Sequence, residues 1–356
     1  MKSVYIHIPF CNDICTYCDF CKMYYNCDLA NKYLISLNNE IASNYKGELI
    51  ETLYIGGGTP SSLSIMQLKK LFTIINIFNL SQLKEFTFEC NVDSLDYDKL
   101  KLLYDNGVNR LSVGIQTFNN DILKVLNRKH NIYDIYDIYN IARSIGFNNI
   151  NLDLIYGIQD IEVLNDDLNN LIKLNPEHIS CYSLCINPNT KMYIDNKKQI
   201  NEDLDYKMYS IIKKRLKEYN HYEISNYCKK GYESKHNLVY WNNERYYGFG
   251  LSACGYINNY RYDNTKNMNE YNKGNYIKEK YIISNEENIK YEIMLNLRKK
   301  YGINKREFYD KHNINIINYN NISNLINENK LIENENNVYI SERWKYKMNS
   351  ILIKII

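Results

Sequence analysis

Val4-Tyr5-Ile6-His7-Ile8-Pro9-Phe10-Cys11-Asn12-Asp13-Ile14-Cys15-Thr16-Tyr17-Cys18-Asp19-Phe20-Cys21 is a short apolar strand that runs straight into a loop holding four cysteines. Val4–Ile8 reads as a strand, and Pro9 ends it. The same rhythm repeats downstream. Strand-like runs at Glu51–Ile55, Glu85–Cys90, Arg110–Ile115, Asn149–Leu154 and His178–Ser183 alternate with helical patterns at Asp28–Tyr45, Ser64–Phe78, Asp96–Asn106, Asn119–Leu126, Tyr133–Ile145 and Val163–Leu174. Six strand–helix alternations predict a parallel sheet with its helices outside, curved as a partial (β/α)6 barrel of the TIM type. Ligand-binding residues then belong at the C-terminal ends of the strands, where the cysteine loop already lies.

Beyond about Leu184 the rhythm changes. Asp203–Tyr219 reads as a helix, and Tyr222–Asn226, Tyr246–Tyr256 and Asn258–Tyr262 as loops and short strands. From about Ile289 the order is three helices, a hairpin around Glu333–Ile340 and a last helix, a winged-helix-like tail. The expected division is a barrel domain over 1–228 and a smaller α+β C-terminal domain over 229–356.

The chain has 356 residues, enough for two domains. Its 44 Lys and Arg against 41 Asp and Glu leave a net charge of +3 with the signs mixed, which argues against a nucleic-acid partner. No apolar run is long enough for a membrane span, and the mean hydropathy is −0.51. With a strand starting almost at Met1 we expect no signal peptide and a cytoplasmic protein. The 36 tyrosines reflect a compositional bias rather than a binding site. The 10 cysteines of a cytosolic chain point to metal or chemistry at some positions and to small buried side chains at others.

The spacing Cys11-x3-Cys15-x2-Cys18 offers three thiolates close together, ligands for an iron–sulfur cluster or for zinc. Zinc sites usually split their ligands into two separated pairs, so zinc is the weaker reading. With Tyr17 just before the third cysteine, the run resembles the cluster motif of the radical S-adenosylmethionine superfamily. That resemblance implies a [4Fe-4S] cluster on Cys11, Cys15 and Cys18, with S-adenosylmethionine chelating the iron that no protein ligand fills. Cys21 is expected to stand by, since a fourth thiolate would close that iron.

Gly56-Gly57-Gly58-Thr59-Pro60 follows the second strand, and glycines there let backbone approach a ligand closely. Glu89, Gln116, Arg128 and Asp153 stand at or beyond later strand ends and supply donors and acceptors. The resemblance implies S-adenosylmethionine contacts at Tyr5, Tyr17, Gly57, Gly58, Thr59, Glu89, Gln116, Arg128 and Asp153.

The local words resemble the coproporphyrinogen-III-oxidase-like branch of that superfamily over nearly the whole chain. The branch holds an oxygen-independent coproporphyrinogen III dehydrogenase, which decarboxylates porphyrinogen propionates, and the HemW-type haem chaperones. Three features resemble the chaperones. Phe20 stands where the dehydrogenase motif has a further cysteine, Tyr5 lies almost at the start, and Glu223-Ile224-Ser225-Asn226-Tyr227 precedes His236-Asn237-Leu238-Val239-Tyr240-Trp241. The implied function is haem binding and transfer to an acceptor protein, respiratory haemoproteins being one class. His236 is the candidate haem ligand, and whether any radical reaction is catalysed stays open. The chain departs from the chaperones at Ala253-Cys254-Gly255, where they tend to have Ala-His-Ser.

Overall fold

The computed structural model describes residues 2–356. The chain folds into two compact units: Met1–Met208 with Arg245–Ile282, and Tyr209–Glu244 with Ile283–Ile356. Where the sequence suggests one cut after residue 228, the units interleave, because the segment Arg245–Ile282 returns to the first.

The first unit is built on parallel strands β1 (Ser3–Ile8), β2 (Thr52–Gly57), β3 (Glu85–Asn91), β4 (Arg110–Gln116), β5 (Ile150–Tyr156) and β6 (His178–Ser183). They lie side by side in chain order. Right-handed crossovers between sequential neighbours put all helices on one side, which curls the sheet toward a barrel. Those helices are α1 (Cys27–Asn44), α2 (Ile65–Ile75), α3 (Tyr97–Asp105), α4 (Asn120–Val125), α5 (Ile132–Ile145) and α6 (Ile161–Leu174). Their starts follow side-chain chemistry: Ser64 with Gln67 and Asn131 with Asp134 form capping boxes, and Asp96 and Asp160 accept from the N3 amide.

The six expected strands are present, and a seventh joins them. β7 (Tyr247–Phe249), which the sequence left among loops and short strands, pairs in parallel with β1 through Val4, Tyr5 and Ile6. Beyond it Cys254–Ile257, Tyr260–Asn264 and Ile277–Ile282 form an antiparallel sheet.

Alternation divides each barrel strand between two environments. One face buries Ile6, Leu53, Ile55, Phe86, Phe88, Leu111, Leu152 and Ile179. The other carries rows set by the register: His7, Gly56, Glu89, Ser112, Asn151 and His178 in one, Asn91, Gly114, Asp153 and Ser180 in the next. The interior row is therefore polar, and it leads to the strand ends.

The second unit contains the winged-helix-like order expected of the tail. Helices Asn285–Asn296, Lys305–His312 and Ile322–Asn327 precede the antiparallel pair Leu331–Glu333 and Asn337–Ile340, and helix Met348–Leu352 follows. Ile293, Leu297, Phe308, Leu325, Val338 and Ile351 form its core. No helix of the described residues is long and apolar enough to cross a membrane.

Candidate functional site

The loop after β1 is held at several points. The Thr16 amide donates to Leu126 O at 3.2 Å, Asn127 Nδ2 to Ile14 O at 2.9 Å, and the Met192 amide to Thr16 O at 2.9 Å. His7 Nε2 lies 2.8 Å from Cys21 O, a carbonyl that only accepts, so that nitrogen carries the proton. His7 Nδ1 is then the acceptor for Tyr5 Oη at 3.0 Å. Burial pushes the His7 imidazole down to about 4, which keeps it neutral.

Cys11, Cys15 and Cys18 line one cavity of about 410 Å3 at the C-terminal ends of the strands. Burial raises the Cys11 thiol to about 11, partly offset by the Thr59 hydroxyl at 3.4 Å, with Cys18 and Cys15 adding to the rise. Burial raises Cys18 as well. The Cys11 and Cys18 thiols thus keep their protons, and binding iron must release them. Among the described residues, no three His, Cys, Asp or Glu side chains are grouped around one point. Cys21 stands outside the cavity lining, and its thiol bonds to Ser252.

The glycine turn closes against this loop. The Gly58 amide donates to Ile8 O and the Thr59 amide to Phe10 O, both at 2.8 Å. A Cβ on Gly58 would lie 2.9 Å from Phe10 O and 3.0 Å from Cys11 Sγ. Gly57 has φ +118°, and a Cβ there would strike the His7 ring at 2.8 Å. Gly58→Ala is therefore expected to displace the Phe10 backbone and the Cys11 thiol. Overpacking costs about 1–3 kcal/mol, and the variant should melt lower and hold less iron after anaerobic reconstitution than the parent chain.

Donors and acceptors face the cavity from successive strands. Glu89 accepts from Tyr54 Oη at 2.6 Å and from the Gly57 amide at 3.0 Å. Burial pushes its carboxyl up to about 7; those two bonds oppose the rise and Asp153 adds to it. Asp153 accepts from Asn151 Nδ2 at 2.8 Å, and Asn151 is itself held by His178 Nδ1 at 2.6 Å and Ser180 Oγ at 3.0 Å. Burial raises the Asp153 carboxyl too. Gln116 follows a register shift in β4 and takes φ +68°, which turns it into the cavity. Asp167 of α6 pins the residues after it, accepting from the Phe118 amide at 2.7 Å and the Thr117 hydroxyl at 2.9 Å.

Arg128 is 8% exposed and gives one Nη2 bond to Tyr17 Oη at 2.8 Å, while its Nε and Nη1 have no partner. Tyr17 and Cys15 outweigh burial and raise its pKa, so the guanidinium stays charged. Two buried, unpartnered N–H groups beside a cavity suit an anionic group.

Of the residues expected to contact S-adenosylmethionine, Tyr17, Gly57, Gly58, Thr59, Glu89, Gln116, Arg128 and Asp153 line this cavity with the three cysteines. Tyr5 does not; it acts through His7 on the loop. Sequence reasoning misses His7, Tyr54, Asn91, Asn151 and Asp167. Their polar type at inward strand positions is the available signal for the first four.

His236 is the candidate haem ligand. It is 0% exposed in helix Lys235–Trp241 of the second unit, with Nε2 2.8 Å from Tyr240 Oη. Partial burial of the Cys254 sulfur, and then the Asp263 carboxylate beside it, push this thiol up to about 12.

The family model described as "Radical SAM superfamily" matches residues 5–167. A solved structure, coproporphyrinogen III oxidase (HemN) from Escherichia coli, superposes with a TM-score of 0.88 at 21% identity, over 99% of this chain and 89% of that one. The barrel half of the chain is thus a radical SAM domain. Two curated relatives share its length. "Heme chaperone HemW" of Bacillus subtilis is 42% identical over 331 residues, covering 88% of this chain and 87% of its own. "Heme chaperone HemW" of Lactococcus lactis is 36% identical over 369 residues, covering 100% and 97%. The chain belongs to the HemW family.

Proposed function

We propose that the chain is a haem carrier that binds haem and passes it to an acceptor protein. It would carry one [4Fe-4S] cluster on Cys11, Cys15 and Cys18, with exchangeable S-adenosylmethionine beside it. The observation that carries this reading is the 42% identity, over 88% of the chain, to a protein named a heme chaperone. Respiratory haemoproteins are one acceptor class that fits, and the cytoplasm one compartment.

The cavity residues suit the two groups. Three thiols face a glycine turn too tight for side chains, Arg128 offers two free N–H donors to a carboxylate, and Glu89 offers an acceptor to an ammonium. When bound, the cluster and S-adenosylmethionine supply one-electron cleavage of a carbon–sulfur bond. Tyr54 and the Gly57 amide hold the Glu89 carboxylate toward the glycine turn. Asn151 orients Asp153 as a second acceptor.

Glu89 gives this reading a pH signature. A carboxylate raised to about 7 is neutral below that pH and charged above it. Affinity for a ligand that presents an ammonium should therefore rise as pH increases through about 7. Its linkage to folding has the opposite sense: the folded chain holds the extra proton between the ordinary carboxylate range and about 7, so Glu89's contribution to ligand-free stability falls across that window as pH rises. Calorimetric titration of S-adenosylmethionine from pH 6 to 8 checks the first, and melting curves of the parent and Glu89→Gln chains check the second.

The second reading, coproporphyrinogen III dehydrogenase, is favoured by the 0.88 TM-score to HemN. Phe20 counts against it, since that motif carries a cysteine there. Uptake of haem with a Soret band, and its transfer to an apo-haemoprotein, supports the carrier. Turnover of coproporphyrinogen III with S-adenosylmethionine and reductant would overturn it.

A further inference from the structure

A sulfur that ligates iron keeps lone pairs, and a hydrogen-bond donor aimed at them draws negative charge away from the metal. Each of the three loop sulfurs meets one such donor. The Thr59 hydroxyl lies 3.4 Å from Cys11 Sγ. The Tyr17 hydroxyl bonds to the Cys15 side chain, and the Phe20 amide to that of Cys18.

A second hydrogen bond behind each hydroxyl fixes its direction. Asn91 Nδ2 donates to Thr59 Oγ1 at 3.0 Å, and Arg128 Nη2 donates to Tyr17 Oη at 2.8 Å. Each oxygen thus receives an N–H and has its own proton left to give, and the sulfur beside it is the acceptor. Two relays end on the cysteine loop: Asn91 to Thr59 to Cys11, and Arg128 to Tyr17 to Cys15. Asn91 ends β3, Thr59 follows β2 and Arg128 follows α4, so separate elements converge on the sulfurs. Thr59 is 4% and Arg128 8% exposed, which keeps bulk water out of both relays. A loop that needed packing alone would be served as well by Phe at position 17 and Val at position 59.

Resting on the cluster reading, we infer that Tyr17 and Thr59 are positioning residues that act through Cys15 and Cys11: their hydroxyls donate to the two sulfurs and raise the reduction potential of the cluster that those cysteines hold. The sign follows from charge. A donor stabilises negative charge on sulfur, and the reduced form has one more electron to stabilise. The Tyr17 relay is the stronger, because it starts from a charged guanidinium. The Phe20 amide is main chain and persists through any side-chain exchange.

The test uses the full chain, reconstituted with iron and sulfide without oxygen. S-adenosylmethionine is left out, since Tyr17 and Thr59 also line its cavity. A mediated redox titration followed by electron paramagnetic resonance gives the potential. Tyr17→Phe should shift the reduction equilibrium about tenfold toward the oxidised form, about 59 mV for one electron. Thr59→Val should shift it several-fold the same way, and both should hold the parent's iron content. Thr59→Ser, which keeps the hydroxyl, should return to the parent's potential. A merely structural role would lower iron content and melting temperature and leave the potential of the remaining clusters where it was. Unchanged potentials in both Tyr17→Phe and Thr59→Val, or a shift toward the reduced form, would overturn the inference and leave the cluster reading intact. A parent chain that takes up no four-iron cluster would overturn that reading, and this inference with it.

Discussion

Cys15→Ala, reconstituted with iron and sulfide without oxygen, is expected to fold as the parent does and to hold no stable four-iron cluster. The two halves of that result have separate causes. The fold does not depend on the thiol: backbone bonds from Thr16 to Leu126 and from Met192 to Thr16, and the Asn127 amide on Ile14, hold the loop in place. The cluster depends on three thiolates, and two leave a second iron open to solvent and to loss. Circular dichroism should superpose on the parent, while iron and sulfide content and the visible absorption of the cluster collapse. Cys21→Ala is the matched control. Its thiol faces Ser252 outside the cavity, so its iron content should equal the parent's. An intact cluster in Cys15→Ala would refute the ligand set.

The second large effect is expected from Arg128→Met, which keeps most of the volume and removes the charge. Arg128 has two buried N–H groups without a partner, and its remaining bond is to Tyr17. In the ligand-free chain these groups cost desolvation with nothing returned, so the variant should melt no lower than the parent. Toward S-adenosylmethionine the change runs the other way. A charge-assisted hydrogen bond contributes about 1.5–3 kcal/mol, so the dissociation constant should rise about ten- to hundredfold at unchanged iron content. Equilibrium dialysis of S-adenosylmethionine against the reconstituted variant measures it. An unchanged constant would remove Arg128 from the site.

Much of this arrangement is legible in residue order alone, and the reason is local. Each barrel strand is a run of alternating or apolar residues bounded by a capped helix, as in Ser64 with Gln67 or Asn131 with Asp134, so period and punctuation agree. The cavity residues follow because Cys11, Gly57, Glu89 and Gln116 sit at the ends of those strands. The features that stay hidden in the residue order depend on pairing across distance. Tyr247-Gly248-Phe249 is too short to show a period, and it is a strand because β1 offers it an edge. His7 looks like an ordinary polar residue in Val4-Tyr5-Ile6-His7-Ile8; its role emerges when Cys21 O comes within 2.8 Å. His236 reads as a ligand in its motif; its burial and its Nε2 contact to Tyr240 emerge only in the fold.

The late strand β7 also sets a timetable. It pairs with β1, and Gly250 just after it packs so close that a Cβ would fall 2.5 Å from His7 O, the carbonyl of the residue that braces the cysteine loop. A ribosome has to make more than 240 further residues after Val4 before β7 can pair with β1. At 5–20 residues per second this is roughly 10–50 s. Through that interval the nascent chain displays its thiols on an unfinished scaffold, so iron delivered after release meets a finished loop, and iron delivered earlier meets an open one.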